Sequence, residues 1–479
     1  MTNGSRLDSN PRSHILAGNS GFYILWFGQM ISLIGSGMTC FAQSVYVYTD
    51  MGGSITNLML LAVMAQIPGI LVSPFAGYLV DKWDRRKVMI AGDTAAAIAT
   101  IVLRVLVVSK SFAIWQMYII VVVISVANHF QWPAYFATVP LMVDKQKLGR
   151  ANGMVQAGRS IGQIAAPALA GWAVTQFSLK GVILFDLGSY IFALTTLLII
   201  RIPKVPKAEP AAVSEPGGKK RFSFLSEAFF GFRYLWEKRG LFNLLVLFCI
   251  DNFIFAAAGI ILLPLALSLG SATLYGTAMS VGGICSLAGG IIMGAWGGPK
   301  RRVYGVIGFM MLQGVGLMIL GIHPSIPSLF IGYMTISLAV PFVNACAGII
   351  WQSKVPLQVQ GRVIAISSMI TTFGVELGYI SSGPMADHIF FPLMAMGGPL
   401  AASLGPIFGT GAMGGTGLMY VTLGLACIFT ALGFFSNSRL RNLDTEIPDA
   451  DFESLKQDIA KEEEMIESVS IKQIDIMGD

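Results

Sequence analysis

Long apolar runs, broken at intervals by short charged islands, organise the 479-residue chain. A hydropathy window of about 19 residues places twelve of them, near residues 22–48, 57–80, 88–109, 112–136, 152–177, 181–201, 241–264, 273–296, 303–322, 326–350, 363–386 and 416–437. A run of this length crosses roughly 30 Å of hydrocarbon as a helix. The pattern predicts an all-α polytopic membrane protein with twelve transmembrane helices in two pseudo-symmetric six-helix halves. The first run, starting at Phe22, is too long for a signal-peptide core.

The islands alternate in charge. Basic clusters stand at Lys82 to Lys87, at Lys145, Lys147 and Arg150, from Lys204 to Arg239, at Lys300 to Arg302, and at Lys354 and Arg362. The intervening loops carry little beyond Asp50, Lys110, Lys180 and His323. An excess of Lys and Arg marks cytoplasmic loops. Even-numbered spans therefore return to the cytoplasm, and both termini are expected there.

Landmarks repeat between the halves. Asn128 and Val139-Pro140-Leu141 recur as Asn344 and Val355-Pro356-Leu357, both at an offset of 216; Gly149-Arg150 recurs as Gly361-Arg362 at 212; Arg85-Arg86-Lys87 recurs as Lys300-Arg301-Arg302 at 215. Near-equal offsets in one order argue for a duplicated unit. The expected division is a cytoplasmic N-terminal tail at 1–21, a first half at 22–201, a linker at 202–240, a second half at 241–437 and an acidic cytoplasmic tail at 438–479. Residues 202–218 are rich in Pro, Ala and Lys and suit a flexible linker. The interleaved aromatic and basic residues of 222–239 suit either an interfacial helix or a plain cytosolic connector.

Composition adds to this. Hydrophobic residues make up 54% and charged residues only 12%, against about 25% charged in a soluble domain. The formal charge of +6 is not a nucleic-acid footprint. From Ser438 on there are 5 Lys or Arg against 12 Asp or Glu, leaving 27 against 14 for the rest, and that excess lies in short loops. The five cysteines, Cys40, Cys249, Cys285, Cys346 and Cys427, lie inside apolar runs without paired spacing. They read as small buried hydrophobes, and no metal site, catalytic residue or cofactor is expected. Gly409 to Gly414 satisfies GxGxxG but follows no strand, and Gly217-Gly218-Lys219-Lys220 lacks the spacing of a phosphate-binding loop.

The stretch Gly77-Tyr78-Leu79-Val80-Asp81-Lys82-Trp83-Asp84-Arg85-Arg86-Lys87 resembles the signature loop between helices 2 and 3 of the major facilitator superfamily. Asp84 stands where that family usually has glycine. The resemblance implies that Gly77, Asp81, Arg85 and Arg86, with Gly361 and Arg362 at the start of span 11, form a conformational gate. Asp81 would face the positive end of span 11 and latch the halves in the outward-facing state.

Residues 162–171, with Gly162, Pro167 and Gly171, resemble the span 5 motif of the antiporter branch, with alanine at two glycine positions. Physically, Pro167 frees a carbonyl and the small residues admit a close neighbour; a generic kinked helix would share these traits. Ionisable groups inside spans are functional candidates by default. Asp251 and Glu376 lie deepest and could alternate between protonated and ionised forms as solvent access changes. Arg159 could pair with an internal carboxylate or steady a substrate. Arg104, Asp93 and Asp387 are further candidates, while Asp186 is expected to pair with an arginine or to cap. Span 4 lacks the arginine common in antiporters and offers His129, which could titrate or simply pack.

The corner Trp296 to Arg302, the run Trp351 to Val363 and the Gly-rich segment before span 12 resemble the drug-exporting branch related to macrolide efflux proteins. That likeness implies alternating access, a small amphipathic substrate, protons as coupling ion and a lipid bilayer as the surroundings, with no nucleic acid and no required oligomer. A proton-linked or facilitative importer of a small metabolite, or a transporter-shaped sensor signalling through the acidic tail, are the alternatives.

Overall fold

The computed structural model describes residues 19–109, 112–144, 147–200, 202 and 232–443. The N-terminal tail to residue 18, the linker 203–231 and the acidic tail from 444 lie outside the described residues. No strand occurs among those described. In the first half, α1 is Asn19–Asp50, α2 Ile55–Lys82, α3 Arg85–Val108 and α4 Ile114–Met142. A single 52-residue helical stretch, Leu148–Ile199, breaks at Ser178, whose φ of 55° is left-handed. It therefore supplies α5 (148–177) and α6 (179–199).

In the second half, α7 is Arg239–Ile260, α8 Ala272–Trp296, α9 Arg302–Gly321, α10 Ile326–Lys354, α11 Leu357–Pro384 and α12 Gly411–Ser436. Beyond Ile261, α7 continues as Leu262–Leu269, the break falling where Pro264 removes a helical hydrogen bond. Beyond Pro384, α11 continues as a wide π turn, Met385–Phe390. Ten described helical stretches are long and apolar enough to cross a membrane. One of these holds both α5 and α6, and α11, absent from that set, is 28 residues long. The architecture is consistent with the twelve spans expected. The chain is a multi-pass membrane protein.

In the first half, α1 packs on the α5–α6 stretch and α4 on both α2 and α3; in the second, α7 packs on α11 and α9 on both α10 and α12. Between halves, α5 meets α8 and α2 meets α11. The short connection between α2 and α3 defines one face of the molecule, the loop side. Asp84 N-caps α3 there, accepting from the Arg86 backbone N–H at 3.0 Å. The residue that departs from the family pattern thus satisfies an otherwise orphaned helix donor.

Apolar packing differs between the two faces. On the loop side the cluster around Leu25, Met89 and Tyr135 draws only on the first half, and the cluster around Leu244, Val306 and Ile350 only on the second. On the far side the halves share packing: Leu263 and Ala272 join the first-half cluster, and Ile55 of α2 joins the second-half one. The halves are therefore joined at the far side.

Candidate functional site

The far-side seam is built from small residues. Gly276 of α8 lies against the Pro167 carbonyl of α5, and Gly171 of α5 lies against the backbone of Ala272 and Thr273, so a Cβ at either glycine would strike backbone. Ser280 Oγ donates to the Ile164 carbonyl at 2.6 Å, and Thr273 Oγ1 to the Gly171 carbonyl at 3.0 Å. Close approach of backbones through small residues, with hydroxyls as cross-links, is how helices associate in lipid. Pro167 and Gly171 thus form an inter-half contact, while Gly162 faces Leu33 of α1.

The second far-side contact joins α11 to α2. Asp387, in the π turn, places Oδ2 at 3.1 Å from Ser54 Oγ, 3.1 Å from the Thr56 backbone N and 2.8 Å from Thr56 Oγ1. Ser54 is the N-cap residue of α2 and makes no cap bond of its own. A carboxylate from the other half therefore caps this helix, where the dipole favours an anion.

Toward the loop side α5 and α8 separate: a methyl group on Gly290 or Gly294 would touch nothing within 4 Å. Between the halves lies a cavity of about 970 Å³, lined from α1, α5, α8 and α10. Phe41 and Tyr275 stack in its wall with centroids 4.9 Å apart, beside Cys40, Met279 and Tyr333. Arg159 also lines it, its guanidinium 5.2 Å from the Trp132 ring centroid.

The remaining candidates scatter. Arg85 donates through Nη1 to the Ala137 carbonyl at 2.6 Å, and Arg86 donates to the carbonyls of Leu197 and Leu198 at 3.1 and 2.8 Å. Both arginines thus tie the start of α3 to α4 and α6 of their own half. Gly77 and Asp81 fall in the last turns of α2, Gly361 and Arg362 in the first turns of α11; the side chains of Asp81 and Arg362 lie outside the described set. His129 packs against Gly69 of α2, its Nδ1 2.9 Å from the Ser125 carbonyl.

Asp251 of α7 is 8% exposed, with Oδ1 3.9 Å from Cys427 Sγ of α12. Glu376 is 7% exposed, and neither carboxyl oxygen has a partner among the described residues. Arg104 donates to the Lys180 carbonyl at 2.5 Å. Asp186 was expected to pair with an arginine or to cap. It is instead buried against Gly35 of α1, with Ser189 Oγ at 3.5 Å. Asp93 is buried too, Oδ1 accepting from Gln131 Nε2 at 2.5 Å while Oδ2 has no partner among the described residues. No group of three metal-ligating side chains occurs among the described residues.

Two half-bundles, paired across α2–α11 and α5–α8 around a central cavity, define the architecture, and a family model decides its membership: residues 25–379 match that of the Major Facilitator Superfamily. The chain belongs to the major facilitator superfamily. It is a transporter rather than an enzyme. Over 373 residues it is 27% identical to Macrolide efflux protein A of Streptococcus pyogenes, covering 77% of this chain and 90% of the relative. It is 19% identical over 374 residues to the Multidrug efflux pump Tap of Mycolicibacterium fortuitum, covering 76% and 88%. Among solved structures, it shares the fold of a bacterial homologue of the human lysosomal transporter Spinster in an inward-facing, unoccupied conformation. That likeness has a TM-score of 0.61 at 15% identity and covers 91% of this chain and 98% of the other.

The inter-half capping by Asp387 was not recognised from sequence. Its one local signal is a Ser-Ile-Thr start to α2 whose hydroxyls have no acid within the first turn.

Proposed function

We propose that this chain exports amphipathic drugs or natural products across the bacterial plasma membrane by alternating access, as a proton antiporter with both termini in the cytoplasm. The relatives named for macrolide and multidrug efflux support the direction and cargo class. The basic loop side supports the orientation, since such loops stay cytoplasmic. The division at residues 22–201 and 241–437, joined by 202–240, is part of the same proposal.

The observation that carries the reading is the central cavity, sealed at the far side by the α5–α8 and α2–α11 contacts and bordered on the loop side by separated clusters. With the loop side as cytoplasm, this is a state that takes cargo from inside the cell. Rocking the halves would break the far-side seam and bring the loop-side ends together. Asp81 would then meet the first turn of α11, near Gly361 and Arg362, with Gly77 allowing the approach. In this scheme α2 and α11 carry reciprocal latches, Asp81 at the loop side and Asp387 at the far side, closed in alternation.

Proton uptake falls to buried carboxyls, Asp251 and Glu376 first. An ionised carboxylate without a partner at bilayer depth is costly, so its charge state is tied to which face admits water. Inverted vesicles with an acid-inside gradient and no ATP test the whole reading. Amphipathic drugs should collapse the gradient only when the protein is present; a panel without effect on any gradient would reject drug–proton exchange.

A further inference from the structure

Arg159 is the one charged side chain among the described residues lining the central cavity. It is exposed there, stacked over Trp132, and no acid among the described residues pairs with it. The described ion pairs are Lys147–Asp144 and Arg233–Glu237. Asp251 faces Cys427, Asp93 faces Gln131, Asp186 faces Ser189, and Glu376 faces no polar partner among the described residues. Four buried acids occur among the described residues, Asp93, Asp186, Asp251 and Glu376, and the fold brings none of them into an ion pair with this guanidinium.

A lone cation inside a membrane protein is expensive and is retained where it meets a charge in use. Guanidinium offers a planar fork that binds a carboxylate through two parallel hydrogen bonds, and its face packs on aromatics. Trp132 holds that face, leaving the donor edge for a ligand. Around it stand the stacked Phe41–Tyr275 pair and Met279, surfaces suited to an apolar body, with Ser160 and Gln163 as further polar groups on α5.

We propose that the cavity selects amphipathic acids: an apolar body packs on Phe41, Tyr275 and Met279 while a carboxylate is held by Arg159. This rests on reading the cavity as the cargo site and narrows the cargo to anionic amphiphiles. Cationic amines of the same size are disfavoured, because the cavity sets a positive charge against them with no described acid in its wall.

The test uses the full-length protein in nanodiscs and two fluorescent probes that differ in one group, 11-(dansylamino)undecanoic acid and its carboxamide. The acid should bind at least about tenfold more tightly than the amide, within the range of a charge-assisted hydrogen bond. Arg159→Gln should bring the acid down to the affinity of the amide while leaving the amide unchanged, which also shows that the cavity still folds. Arg159→Lys should keep part of the preference. Equal binding of the two probes by the unmodified protein, or equal weakening of both by Arg159→Gln, would overturn the proposal. Binding of neither probe would overturn it together with the cargo-site reading, whereas selective binding of the acid without transport would reject only the efflux reading.

Discussion

Asp387 caps a helix that belongs to the other half of the molecule: its Oδ2 accepts from the backbone N–H of Thr56 at 3.1 Å and from Thr56 Oγ1 at 2.8 Å. A bond of this charge-assisted kind contributes about 1.5–3 kcal/mol, enough to shift a two-state equilibrium roughly tenfold or more. Asp387→Ala should therefore raise the population open at the far side. Cys40 lines the cavity and reports on this. Its alkylation by a membrane-impermeant maleimide added from the far side should accelerate about tenfold. An unchanged rate would show that Asp387 does not hold the seam.

The glycines of α8 give a matched pair. Gly276→Val would drive a side chain into the Pro167 carbonyl, whereas Gly290→Ala adds a methyl group in open space. Overpacking costs about 1–3 kcal/mol, here charged against the far-side-closed state alone. Gly276→Val should lose most transport with near-normal membrane insertion, and Gly290→Ala should stay within about twofold of the parent protein. Equal effects of the two on cargo flux would argue that the α5–α8 contact is incidental.

Arg86 serves the first half from within. Its two bonds to the Leu197 and Leu198 carbonyls satisfy acceptors at the end of α6. Arg86→Ala should destabilise the protein by about 2 kcal/mol, read as a lowered melting temperature in detergent. Asp81→Asn should instead slow flux at normal expression, as a latch residue would. If Asp81→Asn transports at the parent rate, the loop-side latch fails.

Much of this was legible in the sequence because membrane spans leave a strong local signature. The helix α8, Ala272–Trp296, falls within one residue of the expected 273–296, and the break at Ser178 separates runs already distinguished at 152–177 and 181–201. Hydropathy does not encode which polar group meets which. From sequence Asp186 is expected to pair with an arginine or to cap; α6 is pressed against α1 at Gly35, which buries it. Asp387 and Thr56 are 331 residues apart, and a helix capped from another half has no capping box of its own to be recognised. The sequence allows Arg159 either an internal ion pair or a substrate contact, and in the fold it lies on the cavity wall.

The four buried carboxyls among the described residues can be ranked by one series. Glu376 and Asp251 face the second half, Asp93 and Asp186 the interior of the first. Glu376→Gln should uncouple cargo movement from the proton gradient, leaving downhill cargo exchange intact while removing its pH dependence. Asp251→Asn should do the same if the site is shared between α7 and α11. A Glu376→Gln protein whose transport keeps the parent pH profile would move the coupling role to Asp93 or Asp186.

The most direct measurement is the distance across the far-side seam. Spin labels at Met51→Cys and Ile389→Cys, in a cysteine-free background shown to transport, sit beside the Asp387 cap on opposite halves. In the resting protein the distance distribution should be short and narrow, and cargo together with an acidic far side should populate a second, longer distance as the seam opens. A single unchanged distance under every condition that supports transport would contradict alternating access through this seam.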